Sequence, residues 1–422
     1  MSKTPLCANL LAHKDGWMQS KLQELGLPES FCFAPYVNLD LDQSGKFLAC
    51  FRSKQNMGEW KHAEVTDEFN NANMQQLRDD LWNGNTCDNC SQCHRREAQG
   101  VTSTRQDLNQ YFLQDIVDAE YLPVLVEKIK QNHLHSDVDN IHMIEIRPHA
   151  ICNLACAHCD ENSSSRWLSL KRNSVPDEFK THLVDDPGLV TKLLASTTRL
   201  RTLHFTGGEP LVDKHHLDWL AQVPDPAKIQ LRYHSNLQHT LYERFFDAWN
   251  QFQSVKIFNS LDTSERFYHY FRFGADWQTV HSNLLAIRAR VPNSEIKGTI
   301  TVNMLTMLDW IGIVKYLVVN QIDMHVAFVD PPHPISCVYL PEQLKQTAHK
   351  QLTDSLLIVD QYMQPGMRKR AAKQIQRVQQ FLDTEYQSDN MHPDSVEYMK
   401  YLDATYGMSI VELAPELTEW IK

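Results

Sequence analysis

Ten cysteines in 422 residues fall mainly into two groups: Cys32, Cys50, Cys87, Cys90 and Cys93, then Cys152, Cys156 and Cys159, with Cys7 and Cys337 standing alone. Thiolates are soft ligands suited to zinc and to iron–sulfur clusters. At this cysteine frequency a given three-cysteine spacing arises by chance only about 0.006 times per chain, so metal binding is the economical reading. Cys87-x2-Cys90-x2-Cys93 alone is open to zinc as well as to a cluster. Cys152-Asn-Leu-Ala-Cys156-Ala-His-Cys159 differs. It offers three thiolates within eight residues and no fourth nearby, which suits a cubane cluster whose fourth iron is left open to another ligand.

This triplet resembles the hallmark of the radical SAM superfamily, Cys-x3-Cys-x2-Cys, with His158 where an aromatic ring is commoner. About 50 residues on, Leu203-His-Phe-Thr-Gly207-Gly208-Glu209-Pro210 reads as a strand entering a glycine turn and an acid. In the family this form binds the methionine amino group of S-adenosylmethionine: glycines let the backbone approach, and a carboxylate meets the ammonium. The resemblance implies that Cys152, Cys156 and Cys159 hold a catalytic 4Fe-4S cluster. It implies also that Gly207, Gly208 and Glu209 position methionine and that His158 lies near adenine. Ser260-Leu-Asp262 resembles a Ser-x-Asp segment that precedes an arginine-bearing helix in family members, with Arg272 as that arginine. On the same resemblance Ser235, Asn236, Ser260 and Asp262 contact the ribose or carboxylate of the cofactor. The same residue types serve turns and helix caps, so both readings stand.

The elements that must position these motifs alternate from residue 141 onward. Strands are expected over 141–147, 202–206, 228–234, 255–259, 296–302 and 324–329, with helices over 189–196, 241–252 and 308–319. Six such units in about 190 residues predict an α/β fold, a partial (β/α)6 TIM-like barrel. Several strands alternate in polarity. Ile296, Gly298, Ile300 and Val302 oppose Lys297, Thr299, Thr301 and Asn303; Ile229, Leu231 and Tyr233 oppose Gln230, Arg232, His234 and Asn236. If apolar faces pack on outer helices, polar faces line a cavity built for a polar ligand. Substrate contacts are therefore expected from Arg147, His204, Arg232, His234, Asn303 and His325, each of which also serves as an ordinary hydrogen-bonding wall residue. Cys337 reads as a hydrogen donor to a product radical or simply as a buried thiol.

Ahead of the barrel, Cys32 is followed by a hairpin turning near Ser44-Gly45 and ending at Cys50. Then come Cys87-x2-Cys90-x2-Cys93, Glu97, Gly100, Ser103 and Arg105. The stretch resembles the twitch, or SPASM-like, auxiliary-cluster domain of radical SAM enzymes, placed here N-terminal to the barrel. A second, auxiliary 4Fe-4S cluster is implied, drawn from Cys32, Cys50, Cys87, Cys90 and Cys93. The favoured set is Cys32, Cys50, Cys90 and Cys93, with Cys87 next. Such a cluster moves an electron out of the product radical or shapes the substrate pocket. Beyond residue 340 the chain turns polar and helical, over 345–363 and 368–383. Arg368, Lys369 and Arg370 open a basic helix face that suits a solvated surface. The domains read as 1–135 auxiliary cluster, 136–338 radical SAM barrel and 339–422 helical extension.

The 41 Lys plus Arg against 52 Asp plus Glu give a net charge of −11, which argues against a broad nucleic-acid surface. No run reaches the roughly 18 apolar residues of a membrane span. Residues 1–15 lack a secretory core, so a cytoplasmic location with reduced thiols is expected. The function implied is reductive cleavage of S-adenosylmethionine to a 5′-deoxyadenosyl radical, which abstracts hydrogen from a peptide or protein side chain. A reductant such as flavodoxin or ferredoxin is the implied electron partner. The alternatives are oxidation or rearrangement of a small polar metabolite, a sugar or nucleotide, and a non-catalytic metal-containing RNA-binding protein.

Overall fold

The computed structural model describes residues 14–43, 45–53, 55–59, 64–98, 102–172, 192–195, 197–213, 215–384 and 391–421. Eleven strands lie among them: β1 (Asn38–Leu41), β2 (Lys46–Leu48), β3 (Gly58–Glu59), β4 (Met143–Ile146), β5 (Ala155–Cys156), β6 (Thr202–Phe205), β7 (Gln230–Ser235), β8 (Ser254–Ser260), β9 (Arg272–Phe273), β10 (Ser294–Val302) and β11 (Asp323–Phe328). The six strands expected from residue 141 onward all occur, as β4, β6, β7, β8, β10 and β11, each within two residues of its expected ends. Of the helix expected over 189–196, residues 192–195 are helical and the other half lies outside the described residues.

The chain divides into two compact units. Unit 1 holds Met1–Pro148, His182–Phe205 and Gln222–Gln230; unit 2 holds His149–Thr181, Thr206–Ala221 and Leu231–Lys422. This division does not follow the three stretches read from the sequence. In unit 1 the strand order is β6-β4-β1-β2-β3, and β1 pairs in parallel with β4, Leu39 opposite Ile144. Hydrogen bonding therefore ties the segment before residue 135 to the first strand after it. The expected hairpin is present as antiparallel β1 and β2, with Asp40 opposite Leu48. Gly45 adopts a left-handed φ of 79°, and Ser44 lies outside the described residues.

Both faces of β4 and β6 are buried, as suits parallel strands covered on two sides. A fully buried guanidinium staples unit 1. Arg78, in helix Ala72–Asn83, donates to the carbonyls of Pro35, Phe69 and Leu134 and to Asn70 Oδ1. Four of its five hydrogen bonds thus cap backbone carbonyls that burial would otherwise strand.

Unit 2 has the order β11-β10-β8-β7 and a second, small sheet of β5 and β9. β8, β10 and β11 run parallel, with Thr299 opposite both Ser260 and His325. Side chains of β7 alternate strictly between half-buried and buried, so the polarity pattern seen in the sequence is a real division of faces. Helices Glu243–Trp249, Trp277–Arg290 and Trp310–Val319 connect the strands, burying Trp249 and Trp310 fully.

The C-terminal region is helical, with Glu342–Tyr362 and Pro365–Leu382 as its longest elements. Ser355 of the first accepts the Trp310 indole N–H at 3.0 Å. The second covers the edge strand β11: Gln374 accepts the Val326 N–H at 3.2 Å, Arg370 meets Asp323 at 2.8 Å, and Phe381 packs on Phe328. A helix laid over an edge strand in this way blunts the ladder it could offer another chain. No described helix is long and apolar enough to cross a membrane.

Candidate functional site

Every residue read as part of the radical SAM site lies within unit 2. That loop is built on backbone groups. Ala155 and Cys156 pair antiparallel with Phe273 and Arg272, and Ala157 N–H donates to Phe271 O at 2.8 Å. Three aromatic side chains donate to the loop's outward carbonyls: Trp167 Nε1 to Cys156, Tyr398 to Ala157 and Tyr406 to Ala155, each at 2.8 Å. Phe273 stacks on Tyr406 with ring centroids 4.3 Å apart.

The glycine turn packs directly on this loop. Glu209 N–H donates to Ile151 O at 2.8 Å and Gly208 N–H to His149 O at 3.2 Å. A Cβ at Gly208 would stand 2.2 Å from Ile151 O. Gly208 is thus required by protein backbone, and Gly207 by its left-handed φ of 107°. The sequence assigned both glycines to ligand approach; at Gly208 the structure supplies a different cause.

Glu209 is 1% exposed and its carboxylate is held by three donors: Ser235 Oγ at 2.8 Å, Leu211 N–H at 3.1 Å and Asn236 N–H at 2.6 Å. Burial lifts its carboxyl above the ordinary range, with the three hydrogen bonds and Arg272 pulling the other way. A carboxylate has about four acceptor positions, so one remains for an outside ammonium. Asn236 also reaches Asn153 Oδ1 at 2.8 Å and Cys152 Sγ at 3.9 Å, which ties the turn, the end of β7 and the cysteine loop together.

Asp262, at a left-handed φ of 59°, is fully buried and pairs with Arg272 at 2.7 Å while accepting the Thr301 N–H at 2.8 Å. Arg272 in turn lies 3.5 Å from Cys156 Sγ. Burial pushes the thiols up, Cys156 to about 11 and Cys159 to about 12, with Cys152 raised as well. Arg272 is the strongest opposing influence on Cys156. His158 stacks on Phe271 at 5.2 Å and is held neutral by burial, its pKa down to about 4. The side chains of Ser235 and Asp262 face protein partners; Ser260 is half-buried at the end of β8.

The donor set fits a cluster ligated at three corners. Three free cysteines share one loop, a buried arginine lies against Cys156 Sγ, and His158 Nδ1 and Arg272 Nε have no hydrogen-bond partner among the described residues. No group of three or more His, Cys, Asp or Glu side chains among the described residues is gathered closely enough for a single ion.

The expected substrate residues separate by unit. In unit 1 Arg147 and His204 belong to a charged row set by strand register, Asp40 opposite Glu145 and Glu145 opposite His204. Arg147 meets Asp40 at 3.0 Å, and His204 meets Glu145 at 3.2 Å. Asp40 and Glu145 were missed in the sequence although each alternates with apolar neighbours; burial, then Glu145, pushes the Asp40 carboxyl up. In unit 2 Arg232, His234 and His325 surround the Phe258 ring. Asn303 is corrected to a structural role: its carbonyl accepts the Leu305 and Thr306 N–H groups and its amide donates to Thr301 O and Thr306 Oγ1. All four of its positions are engaged, leaving nothing for a ligand. Cys337 is wholly buried, its thiol raised to about 12.

The other cysteines sit in unit 1. Cys50 has Cys32 and Cys93 as electrostatic neighbours, and Cys90 has Cys32, Cys50 and Cys87. Cys87 is joined to Cys90 and His94 by hydrogen bonds that hold it down to about 6. Arg105 and Asn109 clamp the backbone around Cys32: Arg105 donates to Glu29 O and Phe31 O and pairs with Glu97, while Asn109 bridges Phe31 O and Phe33 N–H. Glu97, Ser103 and Arg105 thus act together. Asn109 was missed, though it lies on the helix opened by the Ser103 to Gln106 capping box. Beside them opens a cleft of about 590 Å³ lined by Trp82, His94, Glu97 and Arg105 among others.

Neither a family model nor a curated protein matches the chain. Among solved structures it is similar to native anSMEcpe with bound AdoMet, at 17% identity over 51% of this chain and 61% of that one, TM-score 0.40. It is similar also to Streptococcus suis SuiB bound to S-adenosylmethionine and to SuiB bound to precursor peptide SuiA, each at 15% identity over 63% and 59% of the two chains, TM-score 0.37. The matched part spans less than two thirds of each of these structures.

Proposed function

We propose that the chain is a radical SAM enzyme with a partial barrel and an N-terminal auxiliary cluster. The observation that carries this reading is the joining, by Glu209, Asn236 and Arg272, of a three-cysteine loop to a glycine–acid turn within unit 2. A zinc-binding or RNA-binding protein has no use for a buried carboxylate held with one acceptor position open. When bound, a 4Fe-4S cluster and S-adenosylmethionine supply a 5′-deoxyadenosyl radical that abstracts hydrogen from the substrate.

The chain's own residues do the rest. Cys152, Cys156 and Cys159 would hold the cluster, and Arg272 lowers the cost of keeping Cys156 as thiolate in a buried place. Glu209, fixed by Ser235 and the Asn236 N–H, would orient the methionine ammonium. The apolar and aromatic packing behind the loop excludes water from a reactive centre. In unit 1 Cys32, Cys50, Cys90 and Cys93, linked as neighbours through Cys32 and Cys50, form the auxiliary set we favour; four thiolates leave no iron for substrate and suit electron transfer.

On the family resemblance the substrate is a peptide or protein side chain. A second reading, a small polar metabolite, is favoured by the basic inward face of β7, β8, β10 and β11. A cytoplasmic enzyme served by a flavodoxin-like or ferredoxin-like reductant accords with either. The test is anaerobic reconstitution, then dithionite and S-adenosylmethionine. We expect 5′-deoxyadenosine and about eight irons per chain, with Cys156→Ala abolishing the cleavage. A fully loaded protein that yields no 5′-deoxyadenosine would sink the reading, and about four irons with zinc would remove the auxiliary cluster.

A further inference from the structure

The inward face of unit 2 gathers positive charge in a chain whose net charge is −11. Strand register puts Lys256 opposite Glu295, and Lys297 opposite both Phe258 and Asp323. Arg232 lies 4.9 Å from the centre of the Phe258 ring, with the His234 ring stacked on it at 4.8 Å and His325 edge-on at 5.2 Å. By alternation the acids on these strand faces are Glu295 and Asp323. Each already has basic partners: Glu295 meets Lys256 at 3.0 Å and Lys297 at 3.4 Å, and Asp323 meets Arg370 at 2.8 Å and Lys297 at 3.5 Å. Helix Pro365–Leu382, which adds Arg370 and Arg377 beside β11, contains no acidic residue.

Two hydrogen-bonding atoms on this face have no partner among the described residues. Thr299 is 5% exposed and its Oγ1 is unbonded, as is His325 Nδ1, and the two residues are paired across β10 and β11. A buried hydroxyl left without a partner costs free energy unless a ligand or water meets it. The lysine side chains are only 16% and 18% exposed, so their charges are poorly screened. Burial, with Arg377, Lys297, Arg232 and Lys256 all acting in the same direction, keeps His325 neutral, its pKa down to about 3. Neutral imidazole still donates one N–H to an oxyanion. The backbone carbonyl of Thr299 also accepts the N–H groups of Leu261 and Asp262, so this face and the proposed cofactor loop share a strand segment.

We infer that Lys256, Lys297, Thr299, Arg232 and His325 form a binding site for a phosphate group of a small substrate, held beneath the carboxyl ends of β8 and β10. A compact anion of high charge matches several cations and a hydroxyl gathered on adjacent strands better than the spaced single charges of an acidic peptide. The inference deepens the metabolite reading and rests on it for the substrate role alone.

The probe is inorganic pyrophosphate, titrated calorimetrically into the anaerobically reconstituted full-length protein at low and at physiological salt, with a hexaglutamate peptide as comparison. We expect pyrophosphate to bind and hexaglutamate not to. Lys297→Gln should weaken binding about tenfold or more, as loss of one charge-assisted contact does. Thr299→Val, which keeps the side chain's branching and removes no ion pair, should weaken it severalfold even if Lys297→Gln folds poorly. Lys315→Gln, on an exposed helix position, should bind as wild type. Absence of pyrophosphate binding, binding untouched by Thr299→Val, or tighter binding of hexaglutamate would each overturn the inference. Formation of 5′-deoxyadenosine by the wild-type preparation is scored separately: cleavage without pyrophosphate binding removes this site alone, and binding without cleavage removes the radical reading while leaving an anion site.

Discussion

Gly208 shows how little room the cysteine loop leaves. The Cβ that any other residue would carry falls 2.2 Å from Ile151 O and 2.9 Å from Ala150 C, and both atoms are backbone, which has no rotamer to escape into. Gly208→Ala should therefore destabilise the protein by about 1–3 kcal/mol, the usual range for forcing extra volume into packed structure, and shift the loop that presents Cys152. Gly366 gives the matched control. It lies in the first turn of helix Pro365–Leu382 with nothing within 4 Å of its added Cβ, so Gly366→Ala should stabilise by roughly 0.5–1 kcal/mol through helix propensity and a less free unfolded chain. Urea unfolding of both variants checks the opposite signs. Iron content after reconstitution should fall for Gly208→Ala alone.

The loop holding the cysteines has almost no regular structure of its own, only the two-residue pairing of β5 with β9, and so depends on side chains brought from far along the chain. Tyr406, about 250 residues after Ala155, supplies one of its three carbonyl caps. Tyr406→Phe keeps the ring stacked on Phe273 and deletes the donor, leaving a buried carbonyl unmet at a cost of about 1–3 kcal/mol. Iron retained by the triplet, measured after gel filtration under nitrogen, should drop while far-ultraviolet dichroism is unchanged. Equal retention would mean that strand pairing alone holds the loop. The same dependence explains what the sequence could disclose. Strands β7 and β10 were legible because alternation is written every second residue, and the cysteine triplet and Gly207-Gly208-Glu209 because their spacing is local. Tyr398, Tyr406 and Trp167 were not, since nothing near them in sequence signals a carbonyl brought by tertiary packing. Asn303 misled for the opposite reason: alternation was carried one residue past the end of β10, where a helix starting at Met304 draws its amide into a cap. Asp40 and Glu145 escaped because a row across three strands becomes visible only once the register is known.

Across the whole molecule the balance of charge is acidic, yet the histidines that matter for acid stability are buried and neutral. His216 is the clearest. It is 1% exposed, bonded to the Tyr233 hydroxyl at 2.9 Å, and burial holds its pKa down to about 4, with Asp213 opposing and His149 reinforcing the shift. In the unfolded chain the same group titrates near 6.5. Folded protein thus stays neutral at His216 while unfolded protein takes up a proton, so stability present above about pH 6.5 is lost as the pH falls through the window down to about 4. Between pH 7.5 and 5.0 this one residue should withdraw about 2 kcal/mol. His158 and His325, with pKa values down to about 4 and about 3, act in the same direction. Urea unfolding of wild type and of His216→Gln at the two pH values isolates the contribution. The variant starts less stable, because the Tyr233 hydroxyl and the Trp249 indole that donates to it lose their common anchor. Its further loss on acidification should nevertheless be smaller than that of wild type by about 2 kcal/mol. An identical loss in the two proteins would show that His216 already carries its proton when folded, and would remove the reason for an acid-labile core in unit 2.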